Sequence, residues 1–316
     1  MKIKISLLSV VTLAWLFLAG CNSGNTSASE KTSVTDSGTK HHSLVPEQIQ
    51  DGWQVGSLSD VGISENLIEQ LVFSIGEGNY GSIDSVVIAK DGLLVHESYF
   101  NGNSINNLIN VKSVTKSVFS VLIGIAFDYG YLGSLEDKVI PFFHEYDLSD
   151  NWTENKENIS IRHLLTMSSG LDCNDFDINS QGREGLMFDS EDWLEYFLKL
   201  PSISEPGTHF SYCAGDVVAL AGLLERTTGV TGEDFASTYL FEPLGIKNHL
   251  WMKSNKGLLQ PNGLYITSRG MAKIGQIMLT GEWNGQTIVS QDWITQALSH
   301  QIFAFDSDSL GFLWWR

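Results

Sequence analysis

The sequence predicts a mixed α/β (α+β) domain in which an antiparallel hairpin stands beside a mainly helical lobe. Three observations carry this. Runs rich in β-branched and aromatic residues at 83–90 and 93–100 flank Asp91-Gly92. That dipeptide suits a tight hairpin turn because both central residues need positive φ. The stretch that follows is apolar nearly all round: Val118, Phe119, Val121, Leu122, Ile123, Ile125, Ala126 and Phe127. Such a helix is buried on most faces. From 135 to 250 the apolar spacing is mainly helical, broken by long loops. A length of 316 residues and a hydrophobic fraction of 42% allow one large domain with a substantial core.

The folded domain is expected over 46–316. Residues 22–45 are rich in Ser, Thr, Gly and Asn and hold no Phe, Trp or Tyr, so they read as a flexible linker. A coil of that length reaches roughly 25 Å. His41-His42 lies in the linker, where two adjacent imidazoles do not make a metal site. Residues 64–75 have helical spacing, with Ser64 as N-cap and Leu67, Ile68, Leu71, Val72 and Ile75 on one side. The hairpin follows, then an Asn-rich loop over 101–110, then the buried helix from Ser113, with Gly130 as its C-cap.

Beyond it, a short helix at 161–168 ends at Gly170, and 172–189 reads as a loop. Helices are expected at 191–200, stopped by Pro201, at 216–228, stopped by Gly229, and at 234–241, closed by Pro243. Residues 263–267 read as a short strand or turn. A helix at 269–279, a turn at Asn284-Gly285 and a last helix at 291–299 complete the pattern. Apolar and aromatic residues then run to Arg316 and read as the start of a strand, so the domain is expected to be incomplete on its C-terminal side.

The chemistry centres on Ser113-Val-Thr-Lys116. Three residues apart at a helix start, the two side chains share a face. An amine then lies beside a hydroxyl at the positive end of a helix dipole. A serine nucleophile needs a nearby base and a field that favours the oxyanion. The four-residue pattern alone is weak: Ser37-Gly-Thr-Lys40 also matches it, in the linker. What distinguishes Ser113 and Lys116 is their place, after a hairpin and at the head of a buried helix. No Gly-rich phosphate loop follows a strand, and no His/Cys cluster has ligand spacing, so neither cofactor nor metal is expected.

A second segment, Pro206-Gly-Thr-His-Phe-Ser-Tyr212-Cys213-Ala214-Gly215-Asp216, precedes a helix ending in Glu-Arg-Thr-Thr-Gly229. Together with Ser-x-x-Lys about a hundred residues earlier, this resembles the class C β-lactamase-related serine hydrolases. Similar connecting segments are Ile161-Arg-His-Leu-Leu-Thr-Met-Ser-Ser-Gly-Leu-Asp172, Phe241-Glu-Pro-Leu-Gly-Ile246 and the run from Gly263 to Leu279. Within that family, Tyr-Cys and Gly-Leu-Asp-Cys are most similar to the 6-aminohexanoate-dimer hydrolase group. The resemblance covers about 48–316. It implies a β-lactamase/transpeptidase-like fold, an antiparallel sheet flanked by helices plus a helical lobe, with C-terminal strands missing. It implies Ser113 as nucleophile, Lys116 and Tyr212 as the proton-handling pair, either of which could be the base, and the Ser113 N–H as half of an oxyanion hole.

Two departures qualify it. The family's Tyr-x-Asn is here Tyr212-Cys213-Ala214, and Ala214 lacks the amide that contacts substrate. No Lys-Thr-Gly occurs, and none of the eight His is followed by x-Gly. Tyr99-Phe-Asn101 and Lys90-Asp-Gly92 match family patterns only as parts of the hairpin. The leading expectation is an acyl-enzyme hydrolase acting on a small-molecule or peptide-like amide or ester. The competing expectations are a non-catalytic binding or sensor domain of the same fold, or an inactive fragment. Peptidoglycan stem peptides, short esters and linear amides all fit.

Charge and the N-terminus point to a location. A net charge of −18 argues against nucleic acid and against adhesion to anionic lipid. Lys2, Lys4 and an apolar run over 5–18 lead into Leu18-Ala19-Gly20-Cys21. That is the layout of a secretory signal, too short for a comfortable spanning helix. The tetrapeptide is similar to the lipobox of bacterial lipoproteins. Residues 1–21 are thus expected to be a signal peptide with Cys21 as the lipid-bearing residue, which places the protein in a bacterial cell envelope. Cys173 and Cys213 are then an even pair in an oxidising compartment. They could form a disulfide tying a loop to the site; the alternative is two separate buried thiols.

Overall fold

The computed structural model describes residues 45–305 and 308–316. The expected signal peptide, Cys21 and the linker up to residue 44 lie outside the described residues. The chain enters through β1 (Gln54–Val55) and α1 (Glu65–Gly76), then makes the hairpin β2 (Ser85–Lys90) and β3 (Leu93–Tyr99). Its turn is Asp91 at φ 53° and Gly92 at φ 79°, the doubly left-handed geometry that the dipeptide favours. β2 and β3 are antiparallel, with Ser85 opposite Tyr99 and Lys90 opposite Leu93. β1 runs parallel along the other side of β3, giving the order β1-β3-β2. Among the described residues no strand pairs with the outer edge of β2.

β4 (Ile109–Asn110) leads into α2 (Val114–Asp128). The helical lobe follows: α3 (Glu154–Glu157), α4 (Ile161–Leu165), α5 (Glu184–Phe188), α6 (Trp193–Lys199), α7 (Ala214–Thr228) and α8 (Gly232–Ala236). β5 (His249–Lys253) and β6 (Leu259–Ile266) return to the sheet side, then α9 (Ser268–Thr280), β7 (Glu282–Trp283), β8 (Gln286–Thr287), α10 (Gln291–Ala297), β9 (Ile302–Phe303) and β10 (Ser309–Leu310). β4, β6 and β5 form a second antiparallel sheet in the order β4-β6-β5.

Helix α2 is the centre of the packing. Its residues from Thr115 to Ala126 are buried except Ser117, and it packs against α7 and β6. Leu264 of β6 fixes its start twice: its carbonyl accepts from the Val111 N–H at 3.0 Å, and its N–H donates to Thr115 Oγ1 at 3.3 Å. Gly124 lets Trp293 of α10 lie directly on the helix, where an added Cβ would come within 2.4 Å of the indole. Arg269, at the start of α9, forks onto Glu97 of β3 at 2.7 and 2.8 Å and also reaches Asp51 at 3.2 Å and the Glu47 carbonyl at 2.6 Å. That cluster fastens the entering segment to β3 and α9.

Four expectations change. The stretch expected as a loop at 172–189 contains α5, a helix too short for periodicity to reveal. The single strand or turn at 263–267 is the end of an eight-residue strand whose partners, β4 and β5, are remote or short. Leu67 is 63% exposed, so α1 packs through Ile68 and Ile75 instead. The C-terminal residues do not begin a running strand. Leu313 adopts φ 60°, Gly311 N–H donates to the Trp314 carbonyl at 2.8 Å, and Phe312 is buried beside Trp293.

Cys173 and Cys213 are joined by a disulfide, with Cα atoms 5.4 Å apart and a sequence separation of 40. The bond links the start of the 173–183 loop to the N-cap of α7.

Two outcomes are expected. Gly124→Ala should lower unfolding stability by about 1–3 kcal/mol, because a buried ring must move to admit the methyl; urea denaturation checks it. Replacing both Cys173 and Cys213 by Ser should cost roughly 2–4 kcal/mol by the same measurement. An unchanged midpoint would mean that the bond constrains nothing the unfolded chain explores.

Candidate active site

Ser113 occupies the N-cap of α2 and is exposed. The residue before it, Lys112, adopts φ 50°, a conformation that non-glycine residues rarely hold. Its N–H is held by Asn110 Oδ1 at 2.8 Å. This sharp bend lifts Ser113 out of β4 and onto the mouth of the helix. Strain of this kind costs of order 1–3 kcal/mol and concentrates at functional sites. No acceptor among the described residues takes the Ser113 N–H, so it is free to donate to a ligand oxygen.

The structure brings the three expected residues together. Lys116 Nζ lies 3.4 Å from Ser113 Oγ. The Tyr212 phenol lies near enough to Ser113 for the serine hydroxyl to act on its acidity, and Lys116 Nζ sits 5.2 Å from the Tyr212 ring centroid. Lys116 is only 3% exposed. Its burial pushes the amine below the usual lysine value, opposed by the negative charges of Asp175 and then Glu184. Burial raises the Tyr212 phenol to about 12; the nearby Ser113 hydroxyl opposes this, and the charges of Asp175 and Glu184 reinforce it. Tyr212 is wedged between rings, with Phe176 stacked at 5.0 Å and Trp315 at 6.4 Å.

Two acidic residues near this centre were not singled out by the sequence. Asp175 is mostly buried, and that burial, with the Glu184 charge, raises its carboxyl to about 7. Glu184 Oε2 accepts from Asn262 Nδ2 at 3.0 Å. The available signal was indirect: a bond between Cys173 and Cys213 forces residues just after Cys173 to lie near Tyr212. Sequence alone does not say which of Asn174, Asp175 or Asp177 turns inward. Ala214 offers no polar side-chain atom to the site. The hairpin patterns Tyr99-Phe-Asn101 and Lys90-Asp-Gly92 stay in β2–β3 and its flanks. Among the described residues no group of three or more His, Cys, Asp or Glu side chains could hold a metal ion.

The Beta-lactamase family profile matches residues 83–301. Beta-lactamase-like protein 2 of Dictyostelium discoideum is 25% identical over 240 residues, covering 68% of this chain and 40% of that protein. The 6-aminohexanoate-dimer hydrolase of Paenarthrobacter ureafaciens is 24% identical over 232 residues, covering 68% of this chain and 57% of that one. The chain therefore spans about half the length of these curated relatives. A 6-aminohexanoate-dimer hydrolase homologue from Bacillus anthracis superposes with a TM-score of 0.62 at 19% identity, over 76% of this chain and 67% of that chain. A penicillin-binding protein from Bacillus halodurans does so with a TM-score of 0.59 at 19% identity, over 78% and 83%. These structures share the mixed α/β fold of a hairpin sheet beside a helical lobe, and the profile spans most of the sequence. The protein belongs to the beta-lactamase family.

Proposed function

We propose that this chain is an exported, lipid-anchored serine hydrolase that cleaves an amide or ester through an acyl-enzyme on Ser113. One observation carries the reading: the buried Lys116 amine lies 3.4 Å from Ser113 Oγ and 5.2 Å from the Tyr212 ring, at the head of a buried helix. A desolvated amine with a lowered pKa can take the Ser113 proton as Oγ bonds to the substrate's acyl carbon. The Ser113 N–H donates to the oxygen that gains charge, and the α2 dipole favours that charge. Tyr212, held protonated by its raised pKa, donates its proton to the leaving amine or alcohol as the acyl bond breaks. It is recharged from the Lys116 ammonium. Water then attacks the acyl-enzyme by the reverse proton path and frees Ser113. On this reading Lys116 is the base and Tyr212 the acid. The similarity to a protein named 6-aminohexanoate-dimer hydrolase supports an amide as substrate. Ala214 favours a second reading, a non-catalytic binding domain of the same fold.

A fluorophosphonate probe separates the two. Mass spectrometry should find one adduct on Ser113, absent in Ser113→Ala. Labelling by Lys116→Arg should fall by about 10²–10⁴-fold, because a guanidinium stays protonated. The parent's labelling rate should rise with pH along a limb that lies below the ordinary lysine pKa. A folded parent protein that never labels would favour the binding domain. The anchor has its own test: labelled palmitate should enter the protein in a bacterial host and be lost in Cys21→Ala. Equal incorporation by both would refute lipidation at Cys21.

A further inference from the structure

We propose that Asp175 is a positioning residue of the same centre, acting on Lys116 and Tyr212 from the disulfide-tied loop. The inference rests on the acyl-enzyme reading for its catalytic meaning, and on geometry for its physical content.

Asp175 is fixed at three points. Its N–H donates to the Tyr212 carbonyl at 2.9 Å. Its Oδ2 accepts from the Ala214 N–H at 2.8 Å, and its Oδ1 from the Glu184 N–H at 2.9 Å. One carboxyl thus bridges the first residues of α7 and α5, while its backbone holds the segment that carries Tyr212. The disulfide doubles the connection. Asp175 lies two residues after Cys173, and its partner Ala214 lies one after Cys213. Phe176, the next residue, stacks on the Tyr212 ring. The loop therefore cannot shift without moving the phenol.

The charges explain what the carboxyl does once placed. Asp175 is the strongest electrostatic partner of Lys116, ahead of Glu184. It makes no direct ion pair with the amine, so it acts through its field. The groups facing Asp175 are Lys116, Glu184 and, from α7, Asp216. Those facing Lys116 are Asp175, Glu184 and the Tyr212 ring. Asp216 is fully buried, and burial pushes its carboxyl well above the usual range. One lysine amine thus lies in the field of several acids without touching any of them. A charged Asp175 favours a charged Lys116, and a neutral Asp175 releases the amine to act as a base. Ala214 adds no polar side chain at this place, which leaves the loop carboxyl to set the balance.

The test reads Lys116 directly. Protein carrying lysine labelled with ¹³C at the ε-carbon is titrated by NMR, with the Lys116 signal assigned by its loss in Lys116→Arg. In Asp175→Asn, Lys116 should titrate about one pH unit lower, tenfold in the proton equilibrium, because a negative neighbour is gone. The limb of fluorophosphonate labelling should move the same way, and Asp175→Glu should restore part of both shifts. A folded Asp175→Asn whose Lys116 titrates where the parent's does would overturn the proposal. So would a loss of labelling equal at every pH, which is what a purely structural role predicts. If Asp175→Asn does not fold, the reciprocal measurement decides. With ¹³C-carboxyl-labelled aspartate, Asp175 should titrate higher in Lys116→Met than in the parent, and no shift would refute the coupling. A parent that titrates as expected but never labels counts against the hydrolase reading alone.

Discussion

Everything in the site depends on keeping one lysine amine dry beside a hydroxyl. Lys116 sits on the first turn of α2 with 3% of its surface exposed. A charged ammonium there has lost most of its water without gaining a carboxylate in contact, which favours the neutral form. Only a helix buried on nearly every face can impose this, and α2 is such a helix. The left-handed bend at Lys112 and the double tie to Leu264 hold its first turn in place. The core under α2 is therefore part of the site. It supplies the low-dielectric surroundings that push this amine toward its neutral form.

Tyr212 reaches the same point from a different direction. It ends an extended approach to α7 and is held by a loop that neither helix contains. The disulfide, the Asp175 bonds and the ring stack all act on the three residues Tyr212, Cys213 and Ala214. Two independent scaffolds, a rigid helix and a stapled loop, thus meet where Lys116 faces the Tyr212 ring. Geometry of this kind is maintained by over-determination: each member is fixed by more contacts than it needs.

What could be read from the sequence follows from how local each cause is. The hairpin announced itself because Asp91-Gly92 dictates its own turn. α2 was visible because its apolar run exceeds one face, and α7 because Gly229 ends it in a left-handed cap at φ 74°. Ser113, Lys116 and Tyr212 could be picked out as candidates because their motifs sit at the heads of such segments. The β4-β6-β5 sheet was not legible, since its pairing joins Ile109 to Ile266 across most of the domain. Helix α5 is a single turn and a half, held by tertiary contacts rather than by propensity. Asp175 and Glu184 belong to the same class. Their importance comes from what the fold sets beside them, and nothing in an Asp-rich loop marks one carboxylate over its neighbours.

Arg269 has a mechanical consequence. The segment 47–53 joins everything upstream to the domain, and Arg269 grips it through the Glu47 carbonyl and the Asp51 carboxylate while gripping Glu97 in β3. The guanidinium is 3% exposed, so water cannot readily replace one contact at a time. A pull on the N-terminal end would load several charge-assisted bonds together and pass through Glu97 into β3 before it reached β1. The first thing to resist such a force is a salt-bridged rivet that joins this segment to β3 and α9. Force applied at residue 47 would be shared among these bonds, all of them made to one side chain of α9.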